Sequence, residues 1–336
     1  MQNVLPFNDP DADIIICSSD GVKFRTFKSN LAQISLVFKT MFTLPQSSPH
    51  ADSEDYEDGI QVVRVSETAH VLNALLMICL PGAAHSDSKC VALAVEVLLA
   101  VRKYDMDSLL ACAGIAFDDA MMEKPVLAYF LACQHGLEGK ARDSARYCLR
   151  LPLSVIINTS FEGINEMKPL LTFQRLLQYH LACRDRLLSL ISSWGWMMPM
   201  RAELLGNTAT TQFWFKMSNN CCWSESCRDF EDSAGSSYSV QKWWAKYIKS
   251  VRDRLEGGAW EGVVQEKEAL RFFMAEGPDC RTCRSAAVDS ISAFAKALSA
   301  EMTKVLDGRT IPPISRKHCN ATRRYGYLQH TKLYGD

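Results

Sequence analysis

The stretch from Asp13 to Phe27 constrains the fold of this chain more than any other. It opens on an apolar run, Ile14-Ile15-Ile16-Cys17, passes through Ser18-Ser19-Asp20-Gly21, and continues as Val22-Lys23-Phe24-Arg25-Thr26-Phe27. Ser-Asp-Gly makes a turn, because Gly tolerates positive φ and an Asp side chain can bond the backbone beside it. After the turn, Val22, Phe24 and Thr26 fall on one face and Lys23 and Arg25 on the other, the pattern of a half-exposed strand. The pair predicts a β-hairpin whose first strand is buried.

Two short helices should follow. Asn30 is placed to cap the first, which carries Leu31, Ile34 and Ser35. The second runs from Leu36 to Phe42 and stops before Pro45, which disfavours helix at the residue ahead of it. Phe38, Met41 and Phe42 share one face at i, i+3 and i+4.

Asp11-Ala12-Asp13, Gly21, Phe24, Lys28, Leu31 and the run Ser35-Leu36-Val37-Phe38-Lys39-Thr40-Met41-Phe42 stand in an order and spacing that resembles the opening of a BTB/POZ domain. The motif residues are Asp13, Gly21, Phe24, Lys28, Leu31, Phe38, Met41 and Phe42. One position departs: Phe27 stands where that family usually has His. The resemblance implies an α+β fold for the N-terminal part, a small sheet flanked by clustered helices. It extends over residues 10–120, about a third of the chain.

The downstream pattern fits that architecture. Residues 45–59 hold five acids, Asp52, Glu54, Asp55, Glu57 and Asp58, with no Lys or Arg. They read as a solvated loop, with an acidic docking or phosphorylation segment around Ser47, Ser48 or Ser53 as the alternative. Gln61 to Val65 reads as a strand, with Val63 and Val65 alternating against Arg64. Ser66 or Thr68 should cap a helix carrying Val71, Leu72, Leu75, Leu76, Cys79 and Leu80, stopped by Pro81-Gly82. The next helix carries Leu93, Val97, Val101 and Tyr104 and also Val95, Leu98 and Leu99. Apolar on so much of its surface, it should be a core element. Asp105-Met106-Asp107 breaks it, and Leu109 to Ala120 forms another helix.

From Pro125 onward the pattern is helical, with no strand expected. Residues 121–200 read as helical hairpins: Pro125 suits a first turn, Val126, Phe130, Cys133 and Leu137 form a stripe, and Leu170 to Ile191 defines a long helix. Arg142 to Leu153 resembles the helical extensions that follow BTB domains in many fungal members. Residues 201–306 form a mostly helical region with a polar loop at 206–240, an amphipathic helix from Gln241 to Leu255, and helices at 263–275 and 285–306. Residues 307–336 form a basic tail, with six Lys or Arg after Gly308 against one acid, Asp336. It reads as a solvated end, with nucleic-acid binding or nuclear localisation as the alternative.

Net charge is −1, so no bulk field draws the chain toward nucleic acid or a membrane. No apolar span of transmembrane length occurs, and Met1 to Pro10 lacks the pattern of a secretory signal. Cytoplasm or nucleus is the expected compartment. Thirteen cysteines then read mainly as small buried hydrophobes, among them Cys17, Cys79, Cys112, Cys133 and Cys148. Cys280-Arg281-Thr282-Cys283 is the exception in pattern. With Cys222 and Cys227 it offers four thiolates to a structural zinc, and His180 and Cys183, one turn apart, offer a replacement pair. The spacing of Cys222 and Cys227 is wider than a zinc knuckle prefers, and free thiols are the alternative.

No dinucleotide, Walker, zincin or nucleophile-elbow motif occurs, so no catalytic residue and no bound cofactor is expected. His180, in a helical stripe, reads as a core residue. The chain therefore reads as a non-enzymatic protein–protein interaction module. The BTB resemblance implies protein partners and self-pairing, and for many members the role of substrate adaptor to a cullin-type ubiquitin ligase. A transcriptional or chromatin regulator and a self-associating scaffold are the alternatives. No membrane partner is expected, and no DNA-reading finger is present.

Overall fold

The computed structural model describes residues 7–44, 56–80, 90–159, 169–193, 227–231, 237–276 and 281–308, with 227–231, 237–243 and 281–290 by backbone alone. The chain is mixed α+β and divides into two compact units, Met1–His135 and Gly136–Asp336.

The first unit is built on a four-stranded sheet of order β2-β1-β4-β3. β1 (Ile14–Cys17) and β2 (Lys23–Thr26) form the expected hairpin, with Gly21 at φ +82° in its turn. β4 (Ile60–Arg64) lies parallel to β1 on the other side, Ile15 opposite Val62. Parallel neighbours need a long connection, and β2, α1 (Lys28–Ile34), α2 (Leu36–Thr43) and β3 (Tyr56–Glu57) supply it. Every residue of β1 is buried, as its unbroken apolar run requires of a strand covered on both faces. Ile14 and Ile16 share a face with Thr26 and Phe24; Ile15 and Cys17 share the other with Val62.

β3 was not foreseen. Tyr56 and Glu57 pair with Gln61 and Ile60 across a two-residue turn in which Asp58 (φ +52°) and Gly59 (φ +78°) are both left-handed. That is the type I′ geometry Asp-Gly favours between strands. Two of the five acids read as loop therefore belong to a hairpin: Glu57 pairs with Lys23 and Asp58 with Arg25.

The helices of this unit are α3 (Ala69–Ile78), α4 (Val91–Lys103), α5 (Leu110–Glu123) and α6 (Pro125–Gln134). α4 buries residues on all sides, Val91, Leu93, Val95, Val97, Leu98 and Val101 among them, and is packed by α3, α5 and α6. α6 starts with Pro125 in its first turn as expected, but it packs on α4 and α5. Read from the sequence as the start of the helical extension, it lies in the first compact unit, which ends at His135.

The second unit holds α7 (Glu138–Cys148), α8 (Leu153–Ile157), α9 (Pro169–Ser192), α10 (Lys242–Gly257), α11 (Glu266–Glu276) and α12 (Arg281–Asp307). α10 buries Trp244, Tyr247, Ile248, Val251 and Leu255, the stripe its sequence predicts. Each such burial is worth roughly 1.5–3 kcal/mol. Trp244 and Tyr247 meet Phe294 of α12 at 6.1 and 6.5 Å between ring centroids. The absence of strands expected here is corrected: β5 (Cys227–Glu231) and β6 (Ser237–Gln241) pair antiparallel, Phe230 opposite Tyr238. Tyr238 and Val240 alternate with Ser237 and Ser239, a strand period inside what reads by composition as a polar loop.

Candidate interaction surface

Two carboxylates of the opening stretch fix the helices that follow it. α1 begins at Lys28, one residue after Phe27, which caps with nothing. Asp13 accepts the Lys28 backbone N–H at 2.7 Å and satisfies that exposed donor. The capping role expected of Asn30 is thus corrected, for Asn30 lies inside the helix. α3 repeats the device. Thr68 makes no side-chain cap, and Asp20 of the β1–β2 turn accepts the Ala69 N–H at 2.8 Å. Hydrogen bonds from the Ser18 side chain and from Ala69 hold the Asp20 carboxyl below its ordinary range.

α2 is anchored at its first turn. The Ser35 hydroxyl accepts from the Phe38 N–H at 3.1 Å and donates to the Tyr104 carbonyl at 2.5 Å, all in a buried setting. The Leu36 N–H reaches the carbonyl of Asp105, which takes positive φ just past the end of α4. Phe38 then stacks on Tyr104, centroids 4.9 Å apart, and Phe42 stacks on Phe38 at 5.9 Å. The Lys28 ammonium stands 5.8 Å from the Phe42 ring, a cation–π contact.

Behind this stack Tyr104 donates its hydroxyl to Glu67, and Lys103 donates to the other Glu67 oxygen at 2.7 Å and to Ser66 at 2.7 Å. Burial alone would raise the Glu67 carboxyl, but hydrogen bonds from Lys103 and Tyr104 and the Lys103 charge outweigh it, and its pKa falls below the ordinary value. Burial, reinforced by Glu67, pushes the Tyr104 phenol up. Neither Glu67 nor Tyr104 was singled out for this role in the sequence, because their partners lie tens of residues away.

The motif residues thus act as cap (Asp13), turn (Gly21), core (Phe24, Leu31, Phe38) and packed flank (Lys28, Met41, Phe42). With Phe38, Met41 and Phe42 turned inward, the opposite side of α2 shows Leu36, Val37 and Thr40, and Leu44 follows the helix. Leu36 is 59% exposed and Leu44 58%. Large apolar side chains held out on a rigidly anchored helix are a feature of interaction surfaces.

Of the four zinc ligands read from the sequence, the structure describes two. Cys222 and Cys280 lie outside the described residues; Cys227 opens β5 and Cys283 lies in the first turn of α12. Among the described residues no group of three or more His, Cys, Asp or Glu is placed to hold a metal. Of the described cysteines, Cys17, Cys133, Cys148 and Cys183 are buried, while Cys79 and Cys112 are only half-buried. His180 is fully buried, as a core residue should be. Its Nε2 lies 3.0 Å from the Leu151 carbonyl, so Nε2 carries the proton of the neutral ring, and Nδ1 has no partner. The polar 206–226 stretch and the basic tail after 308 lie outside the described residues. Among the described residues no helix is long and apolar enough to cross a membrane.

Comparison with protein-family models gives no match, and comparison with curated proteins gives none.

Proposed function

We propose that the chain is a non-enzymatic protein–protein interaction module of BTB/POZ type, whose N-terminal unit binds protein partners and whose helical second unit extends that contact. The observation that carries the reading is the anchoring of α2. Ser35 and Phe38 lock its inner face to Tyr104 while Leu36, Val37 and Leu44 stay solvent-exposed. The strand–turn–strand–helix–helix order from Ile14 to Thr43 supports the same class. Within it, the role of substrate adaptor to a cullin-type ubiquitin ligase is the favoured one, and a self-associating scaffold is the second, since the same apolar surface serves either. The basic tail that would favour a chromatin regulator lies outside the described residues.

Mixing the purified full chain with a purified cullin N-terminal domain tests this, read by size-exclusion chromatography with light scattering. An adaptor forms a complex of the summed masses. A homodimer that ignores cullin moves the reading to the scaffold. A monomer that binds neither contradicts the module.

A further inference from the structure

β3 is the far edge of the sheet and β2 the near edge, with β1 and β4 between them. Yet Glu57 at the end of β3 pairs with Lys23 of β2, and Asp58 pairs with Arg25 of β2 at 3.2 Å. Lys23 lies opposite Cys17 and Arg25 opposite Ile15, so both cations stand on the face that carries Ile15, Cys17 and Val62. Glu57 pairs with Ile60 on the same face, and the side chains of Glu57 and Asp58 span that face to reach the two cations. On that face the three apolar residues form their own small cluster, with Ile60 packed at its side.

We infer that the Tyr56–Gly59 hairpin tip is an electrostatic latch: Glu57 and Asp58 hold it to Lys23 and Arg25, and its release uncovers Ile15, Cys17 and Val62. Three features make it the part of the sheet that opens at least cost. Among the described residues the β3–β4 ladder consists of the pairs Tyr56–Gln61 and Glu57–Ile60. Both ion pairs are at least partly exposed, with Asp58 76% and Lys23 48% accessible at the side chain, and such pairs are individually weak. Both are screened by salt, since the Debye length shrinks from roughly 10 Å to roughly 3 Å between 0.1 and 1 M. The tip is closed by a two-residue turn in which Asp58 and Gly59 are both left-handed. The latch is a salt- and charge-sensitive device in the first unit, independent of which partner that unit binds.

Cys17 reports on it, because its thiol is buried in the covered cluster. The full-length chain is pulsed with iodoacetamide and labelling is read cysteine by cysteine by peptide mass spectrometry. Cys148, fully buried in the second unit, is the control. Cys17 labelling is expected to accelerate roughly three- to tenfold between about 0.05 and 1 M NaCl. In the double variant Glu57→Gln/Asp58→Asn it is expected to be fast already at low salt and insensitive to further salt, with Cys148 unchanged throughout. Asn keeps the left-handed turn accessible, and the wild-type salt series stands even where the variant folds poorly. A Cys17 rate that ignores both salt and the substitutions overturns the latch, as does a Cys148 rate that rises in step with it.

Discussion

The Asp13 carboxylate accepts the Lys28 backbone N–H at 2.7 Å from fifteen residues away, and so ties the first strand of the sheet to the first helix. Asp20 does the same for Ala69 across 49 residues. α1 and α3 are thus started by carboxylates of the hairpin and not by their own caps, whereas α2 is capped by its own Ser35.

Asp13→Ala is expected to cost about 1 kcal/mol, the usual loss of an N-cap, and Asn30→Ala within about 0.5 kcal/mol of nothing. Hydrogen exchange at the α1 amides reads both. Faster exchange for Asn30→Ala alone would restore the local cap.

Ser35→Ala removes one hydroxyl that serves two buried partners, the Phe38 N–H and the Tyr104 carbonyl. The expected cost is about 1–3 kcal/mol, seen as a lower urea midpoint, with exchange accelerated first in α2. A change under half that size would mean the stack of Phe38 on Tyr104 suffices to hold the helix.

Gly257 and Gly258 should behave differently. A Cβ on Gly258 would stand 2.9 Å from the Arg150 carbonyl oxygen and 3.2 Å from that of Leu149, and backbone cannot swing aside; a Cβ on Gly257 meets nothing within 4 Å. Gly258→Ala is expected to destabilise the second unit by about 1–3 kcal/mol, and Gly257→Ala to leave its melting nearly unchanged.

His180 should make the second unit sensitive to acid. Burial lowers the His180 pKa below its ordinary 6.5, with the Leu151 bond opposing and the Arg184 charge adding to the shift. A lowered folded pKa means stability is present above pH 6.5 and lost as pH falls through the folded value. Glu67 is lowered from 4.5, so its contribution is present above 4.5 and lost only below. Melts from pH 8 to 4 should show the second unit weakening below pH 6.5, and His180→Gln should flatten that slope. A slope that His180→Gln leaves unchanged would contradict it.

Periodic features were legible in the sequence. The all-apolar β1, the wholly buried α4 and the Trp244–Leu255 stripe each follow from a local repeat that burial alone enforces. The caps were not, because Asp13 and Asp20 act on helices distant in the chain while Asn30 and Thr68 offered the nearer and wrong solution. β3 was hidden by its acids, although Asp58-Gly59 before Ile60 is itself a hairpin signal. The β5–β6 hairpin was hidden by the Ser-rich composition around Tyr238 and Val240. Of the proposed surface, the inner face Phe38, Met41 and Phe42 was readable from spacing. Its outer members Leu36, Val37 and Leu44 needed the structure, since an exposed leucine looks like a core one in sequence.

If the outer side of α2 binds protein, capture of the tagged full-length chain beside its Leu36→Asp/Val37→Asp variant separates the two chains. Both residues are exposed, so the variant should keep the wild-type thermal melt. Cullin, or a second copy of the chain, is expected with the wild type and reduced roughly tenfold or more with the variant. Equal recovery of the same partners by a folded variant, or no specific partner with either, would contradict it.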